Sequence, residues 1–115
     1  MAFVANGFDI TIDRFDHGVN LVWNLKHADG SDYDLTGYEA QIIIKKNAYD
    51  PDTTAIFDST IVGSGSSISF LIEDGLASNP SDTYHYAIRL IKGDFVDTIL
   101  QAKFKICGNT FARGV

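Results

Sequence analysis

Residues 83–106, TYHYAIRLIKGDFVDTILQAKFKI, constrain the fold more than any other stretch of the chain. They form two alternating runs joined by a glycine-containing turn. In the first run Tyr84, Tyr86, Ile88 and Leu90 fall on one side, and His85, Ala87, Arg89 and Ile91 on the other. In the second, Val96, Thr98, Leu100, Ala102, Phe104 and Ile106 share a side, while Asp97, Gln101, Lys103 and Lys105 take the opposite one. Successive side chains of a strand point to opposite faces, so period-two patterning of this length signals half-buried strands. The two apolar sides must also coincide. A two-residue turn at Gly93-Asp94 would set Leu90 opposite Asp97 and Ile88 opposite Ile99, which brings the wrong side inward. A three-residue turn from Gly93 to Phe95 sets Leu90 opposite Thr98, Ile88 opposite Leu100, Tyr86 opposite Ala102 and Tyr84 opposite Phe104. A buried face pins register, so the odd-length turn is expected.

The rest of the chain continues in this vein. Phe8, Ile10 and Ile12 alternate with Asp9, Thr11 and Asp13 in a first strand, and Asp16-His17-Gly18 makes a turn. Val19, Leu21, Trp23 and Leu25 form the apolar side of a second strand. Trp23, the only tryptophan, is expected on a central strand as the keystone of a sandwich core. A third strand runs from Tyr38 to Lys46 with Ala40, Ile42 and Ile44 inward and Ile43 as an outward apolar exception. After a polar loop through Asp50-Pro51-Asp52 come a short strand, Ile56 to Ile61, a Gly63-Ser64-Gly65-Ser66 hairpin tip, and a strand bearing Ile68, Phe70 and Ile72. Residues 73–82 cross over with one helical turn near Gly75 to Ser78. About seven short strands with regular turn signals predict an all-β, antiparallel two-sheet sandwich or small barrel.

Size and charge narrow the classes. A chain of 115 residues fits one domain large enough for a true core. The reading is a sandwich over residues 8–107, an arm over residues 1–7 and a tail over residues 108–115. The net charge of −6 and a pI near 4.7 disfavour nucleic acid, whose phosphates need clustered Lys and Arg. One cysteine, Cys107, excludes an intrachain disulfide and a cysteine zinc cluster. The N-terminus has no basic region or long apolar run, so no signal peptide is expected, and no stretch approaches the roughly 18 apolar residues of a membrane span.

Sites are sparse. His17 and His27 sit at turns and His85 on an outward strand face, which predicts solvated side chains and no metal site. Asp29, Ser31, Asp32 and Asp34 make an acidic turn without the glycine and terminal glutamate of a calcium loop. No nucleophile elbow or phosphate loop is present, so no catalytic residue, metal or cofactor is assigned. The tyrosines are expected in core and edge packing. Outward apolar residues are the more informative set. Ile43, Ile91, Phe95 and Ile99 are expected on faces that should be polar, and with Phe3, Val4 and Phe111 of the arm and tail they are the candidate assembly contacts.

Two segments together resemble a known family. One is Asp34-Leu35-Thr36-Gly37-Tyr38 leading into Ala40-Gln41-Ile42-Ile43-Ile44-Lys45-Lys46. The other is Tyr84-His85-Tyr86-Ala87-Ile88-Arg89-Leu90, a turn, and Ile99-Leu100-Gln101-Ala102-Lys103-Phe104-Lys105-Ile106. This resembles the immunoglobulin-like β-sandwich of tailed-phage virion proteins, including the N-terminal domain of baseplate upper proteins; Ala102 stands where that pattern usually has glycine. The resemblance implies a non-enzymatic structural component of a virion, in the baseplate or tail, a connector or a capsid-associated position, made in the host cytoplasm. Its expected partners are other virion proteins and copies of itself, with neither nucleic acid nor membrane. The chain, beginning at its own Met1, is expected to be complete at domain size. The alternative is a binding module that recognises a glycan or host-surface receptor through loops 28–33, 48–54 and 75–82.

Overall fold

The computed structural model describes residues 9–111. Its strands are β1 (Ile10–Asp13), β2 (Asn20–Asn24), β3 (Glu39–Lys45), β4 (Phe57–Ser64), β5 (Ser67–Leu71), β6 (Asp82–Lys92) and β7 (Phe95–Cys107). One helical turn, α1 (Asp74–Ala77), lies within the crossover over residues 73–82, as the sequence predicts. The chain is an all-β sandwich. The larger sheet has the order β1-β7-β6-β3-β4 and the smaller β4-β5-β2. The strand β4 belongs to both: Phe57 to Ile61 pair with β3, and Val62 to Ser64 pair with β5. Lettered by chain order, the layers read A-G-F-C-D and D-E-B, in which the neighbours C-F-G and B-E-D are those of an immunoglobulin-type Greek key. Tyr84 adds a tyrosine corner: its Oη donates to the Pro80 carbonyl at 2.6 Å, four residues upstream, at the start of β6.

Burial follows the alternation. Along β6, Tyr84, Tyr86, Ile88 and Leu90 are buried, and along β3 Ala40, Ile42 and Ile44. They meet Trp23, Leu25, Ile68, Phe70 and Ile72 of the smaller layer. Trp23 lies on the edge strand β2 and not on a central strand. It still joins the layers, with its ring 6.4 Å from Tyr86, which in turn meets Phe104 edge-on at 6.4 Å. Position along the sheet matters less for a large ring than the face it occupies. The pairing is antiparallel with one exception among the described strands: β1 runs parallel to β7, Ile10 opposite Phe104 through Asp13 opposite Cys107.

The β6–β7 hairpin corrects the expected turn. Lys92 pairs with Phe95 across a two-residue turn, Gly93-Asp94, and Leu90 faces Asp97, not Thr98. Gly93 holds φ at 59°, a left-handed conformation that glycine reaches without steric cost. The register then shifts: Arg89 faces Thr98, but Ile88 faces Leu100, leaving Ile99 as an extra residue on β7. This β-bulge restores the expected partners of Ile88, Tyr86 and Tyr84. It also turns Ile99 and Leu100 both inward, each 1% exposed, while Val96 and Thr98 fall on the outer face.

The loops divide between two ends. Glu39 is opposite Ile91 and Lys45 opposite His85, so the segment before β3 lies beside the β6–β7 turn and the segment after β3 lies beside the start of β6.

Candidate functional site

Among the described residues the expected assembly contacts are not brought together. Ile99 is buried in the core, a correction that follows from the bulge. Ile43 and Ile91 are half-buried on the outer face of the larger sheet. The Gln41–Arg89 rung lies between them, so they form no continuous patch. Phe95 overhangs the hairpin turn, 49% exposed, and Phe111 is 85% exposed. Phe3 and Val4, like Phe8 of the first strand, lie outside the described residues.

An apolar cluster does exist, at the turn end. The Phe95 ring meets Tyr38 edge-on at 6.1 Å, Tyr38 meets Tyr33 at 6.1 Å, and Tyr33 stacks on His27 at 4.6 Å. The Lys92 ammonium sits 5.0 Å from the centre of the Tyr38 ring. Burial raises the Tyr33 phenol above its ordinary pKa, with the nearby Tyr38 and the charge on Asp97 acting in the same direction. Val96, 53% exposed, pairs with Ile91 on the outer face, the opposite side of the strand from Phe95. Period-two patterning from the core side predicts Val96 inward, and only the bulge reverses it.

The second feature is a groove on the outer face of the larger sheet, about 200 Å³ in volume. Three cross-strand rungs build it. Ile43, Ala87 and Gln101 share the central rung, Gln41, Arg89 and Thr98 the next, and Lys45, His85 and Lys103 the one on the other side. Ala87 is a methyl group surrounded by larger side chains, which leaves the hollow. The bulge widens it: outward residues of a regular strand are two apart, yet Thr98 and Gln101 are three apart because Ile99 and Leu100 both turn in. Ala48 and Asp52 line it from the β3–β4 loop, and Asp58 from β4.

Its polar groups are held in order. Arg89 Nε donates to Gln41 Oε1 at 2.8 Å, and Gln41 Nε2 donates to Asp58 Oδ1 at 2.9 Å, a chain across three strands. Lys45 Nζ donates to the Asp50 carbonyl at 2.8 Å and pairs with Asp52 Oδ1 at 2.6 Å. Lys45 has its side chain 13% exposed and Asp52 66%. The hydrogen bond from Lys45, then its charge, hold the Asp52 carboxyl below its ordinary range, and Arg89 adds to this.

The remaining candidates resolve into local chemistry. Asp29 Oδ1 accepts from the Ser31 backbone N–H at 2.9 Å and from its hydroxyl at 2.6 Å, Asp32 pairs with Lys26 at 2.6 Å, and Asp34 Oδ1 accepts from the Thr36 N–H at 3.0 Å. These are turn-forming bonds. His17 is 3.7 Å from Asp74, His27 stacks at the turn end and His85 lines the groove, so the three histidines stay apart. Among the described residues no group of three or more His, Cys, Asp or Glu side chains is placed to hold a metal ion. Cys107 is half-buried at the end of β7. Loop 28–33 sits at the turn end and loops 48–54 and 75–82 at the opposite end, so the three loops do not form one surface. No protein-family model matches the chain, and no curated protein sequence matches it.

Proposed function

We propose that this chain is a non-enzymatic structural component of a tailed-phage virion, in the baseplate or tail, a connector or a capsid-associated position, that acts by protein–protein assembly with other virion proteins and with copies of itself. The observation that carries the reading is the turn end. Phe95 is about half exposed there and packs on Tyr38, which in turn meets Tyr33, while Val96, also about half exposed, lies on the other face of the same hairpin. Interfaces are enriched in aromatic residues at their centre, and a neighbour that covered this end would bury rings already braced against one another. The resemblance of the Asp34–Lys46 and Tyr84–Ile106 segments to phage sandwich domains supplies the virion context. The immunoglobulin-type strand order and the tyrosine corner are consistent with it.

Quantitative mass spectrometry of purified phage particles from the source genome tests the reading. The chain is expected at a fixed copy number per particle, and its absence from intact particles overturns the proposal. In solution the parent chain is expected to self-associate by sedimentation, and Phe95→Ser combined with Val96→Ser is expected to abolish this. The receptor reading loses its three-loop site, because the loops lie at opposite ends, but it gains the groove as a single specific observation in its favour.

A further inference from the structure

We propose that the groove on the outer face of the larger sheet is a binding site for a sugar carboxylate, a single hexuronic acid residue, with Arg89 as its anchor. The inference is independent of the assembly reading, since it concerns a different surface and needs one copy only.

Arg89 is the first argument. A guanidinium carries five N–H donors in a planar fork. One, on Nε, is spent on Gln41. The others have no hydrogen-bond partner among the described residues, and the side chain lines the groove while half-buried. A carboxylate accepts two parallel bonds from such a fork, and the Gln41–Asp58 chain fixes its orientation before a ligand arrives.

Charge is the second. Within the groove Lys45 is paired with Asp52 and Asp58 accepts from Gln41, so Arg89 is the cation without an ion-pair partner among the described residues, and Lys103 stands on the flanking rung. An anion that pairs with Arg89 would satisfy this remaining charge.

The lining is the third. Ile43 and Ala87 give an apolar floor, and Gln101 and Thr98 give an amide and a hydroxyl at the rim. That is the mixture a sugar ring needs: a surface for its C–H face and groups of both hydrogen-bonding senses for its hydroxyls. The volume of about 200 Å³ equals roughly six or seven waters at about 30 Å³ each, room for one ring and not for a chain of them.

The test is a titration of the full chain with D-glucuronate, D-glucose and acetate, followed by backbone amide NMR. Glucuronate is expected to give saturable shifts centred on Ala87, Arg89, Thr98 and Gln101. Glucose, lacking the carboxylate, is expected to give none. Acetate is expected to shift the same amides at least tenfold more weakly. Arg89→Gln should weaken glucuronate at least tenfold, and Ala87→Leu, which fills the hollow and leaves every charge in place, should abolish binding. If Arg89→Gln disturbs the fold, the Ala87→Leu result decides. No saturable shift up to about 10 mM glucuronate, a range that captures millimolar affinity, overturns the proposal. So does unchanged binding in Ala87→Leu. Acetate binding as tightly as glucuronate overturns the sugar assignment and leaves an anion site.

Discussion

The two ends of the sandwich are closed in different ways. At the end away from the β6–β7 turn, closure is polar and directional. Arg14 donates through Nε and Nη2 to the Ser78 carbonyl at 3.2 and 2.9 Å, Asn109 Nδ2 donates to the Arg14 carbonyl at 2.8 Å, and Tyr84 ties β6 to Pro80. The turn end has local polar bonds at Asp29, Asp32 and Asp34, and adds a run of rings from His27 through Tyr33 and Tyr38 to Phe95. A hydrogen bond is saturated once made, whereas a half-exposed ring can still bury more surface. Rings are exposed at both ends, since Tyr49 and Phe111 stand at the polar one, but among the described residues the exposed ring that packs against other rings is Phe95 at the turn end.

The sharpest way to break this comparison is at the boundary between core and turn end. Ile99→Asp should unfold the domain, with a loss above about 4 kcal/mol in urea titration, because it buries an unpaired carboxylate. Ile91→Asp, on the outer face of the same hairpin, should cost about 0.5 kcal/mol. Equal costs would remove the bulge from the account. Next in size, Arg14→Ala is expected to cost about 2 kcal/mol, since hydrogen bonds from a charged donor exceed neutral ones. Tyr84→Phe keeps the ring and loses only its bond to Pro80, for about 1 kcal/mol by the same denaturant measurement. At the other end, Phe95→Ser should cost only about 0.5 kcal/mol while removing self-association. A loss there as large as that of Arg14→Ala would make the aromatic end a piece of the core and end the distinction.

The smallest effect is electrostatic. Asp52 at the polar end has a folded pKa lowered from its ordinary 3.8, chiefly by its hydrogen bond from Lys45. A depressed carboxylate contributes stability in full above its unfolded value and loses it as pH falls through the folded value. The Asp52 carboxyl should therefore titrate below 3.8 by NMR, and a midpoint at or above it would dissolve the Lys45 clamp. Asp34 at the turn end should behave alike, held down by hydrogen bonds from Thr36.

Some of this is legible in the sequence. Alternation marks the buried faces of β3, β5 and β6, because a half-buried strand leaves no freedom over which side is apolar. It does not separate a three-residue turn from a two-residue turn plus a bulge, since both shift register by the same odd count. The adjacent apolar pair Ile99-Leu100 is the available signal, and it reads as a bulge only when two consecutive inward residues are allowed. The groove is less visible. Gln41 and Arg89 lie 48 residues apart, and their bond depends on the β3–β6 register, which no local pattern encodes. Ala87 carries no chemistry of its own, and only larger neighbours on either side turn a methyl group into a hollow.

The parallel run of β1 beside β7 has a mechanical consequence. From Asp9 the chain enters along β7 in the direction in which β7 itself leaves at Gly108, so a pull applied at these two points draws the strands lengthwise past each other. The rungs from Ile10–Phe104 to Asp13–Cys107, with the Arg14 N–H on the Cys107 carbonyl at 2.8 Å, then carry the load together, whereas a hairpin pulled from its open end would unzip rung by rung. Tension between these two points would meet a shear clamp.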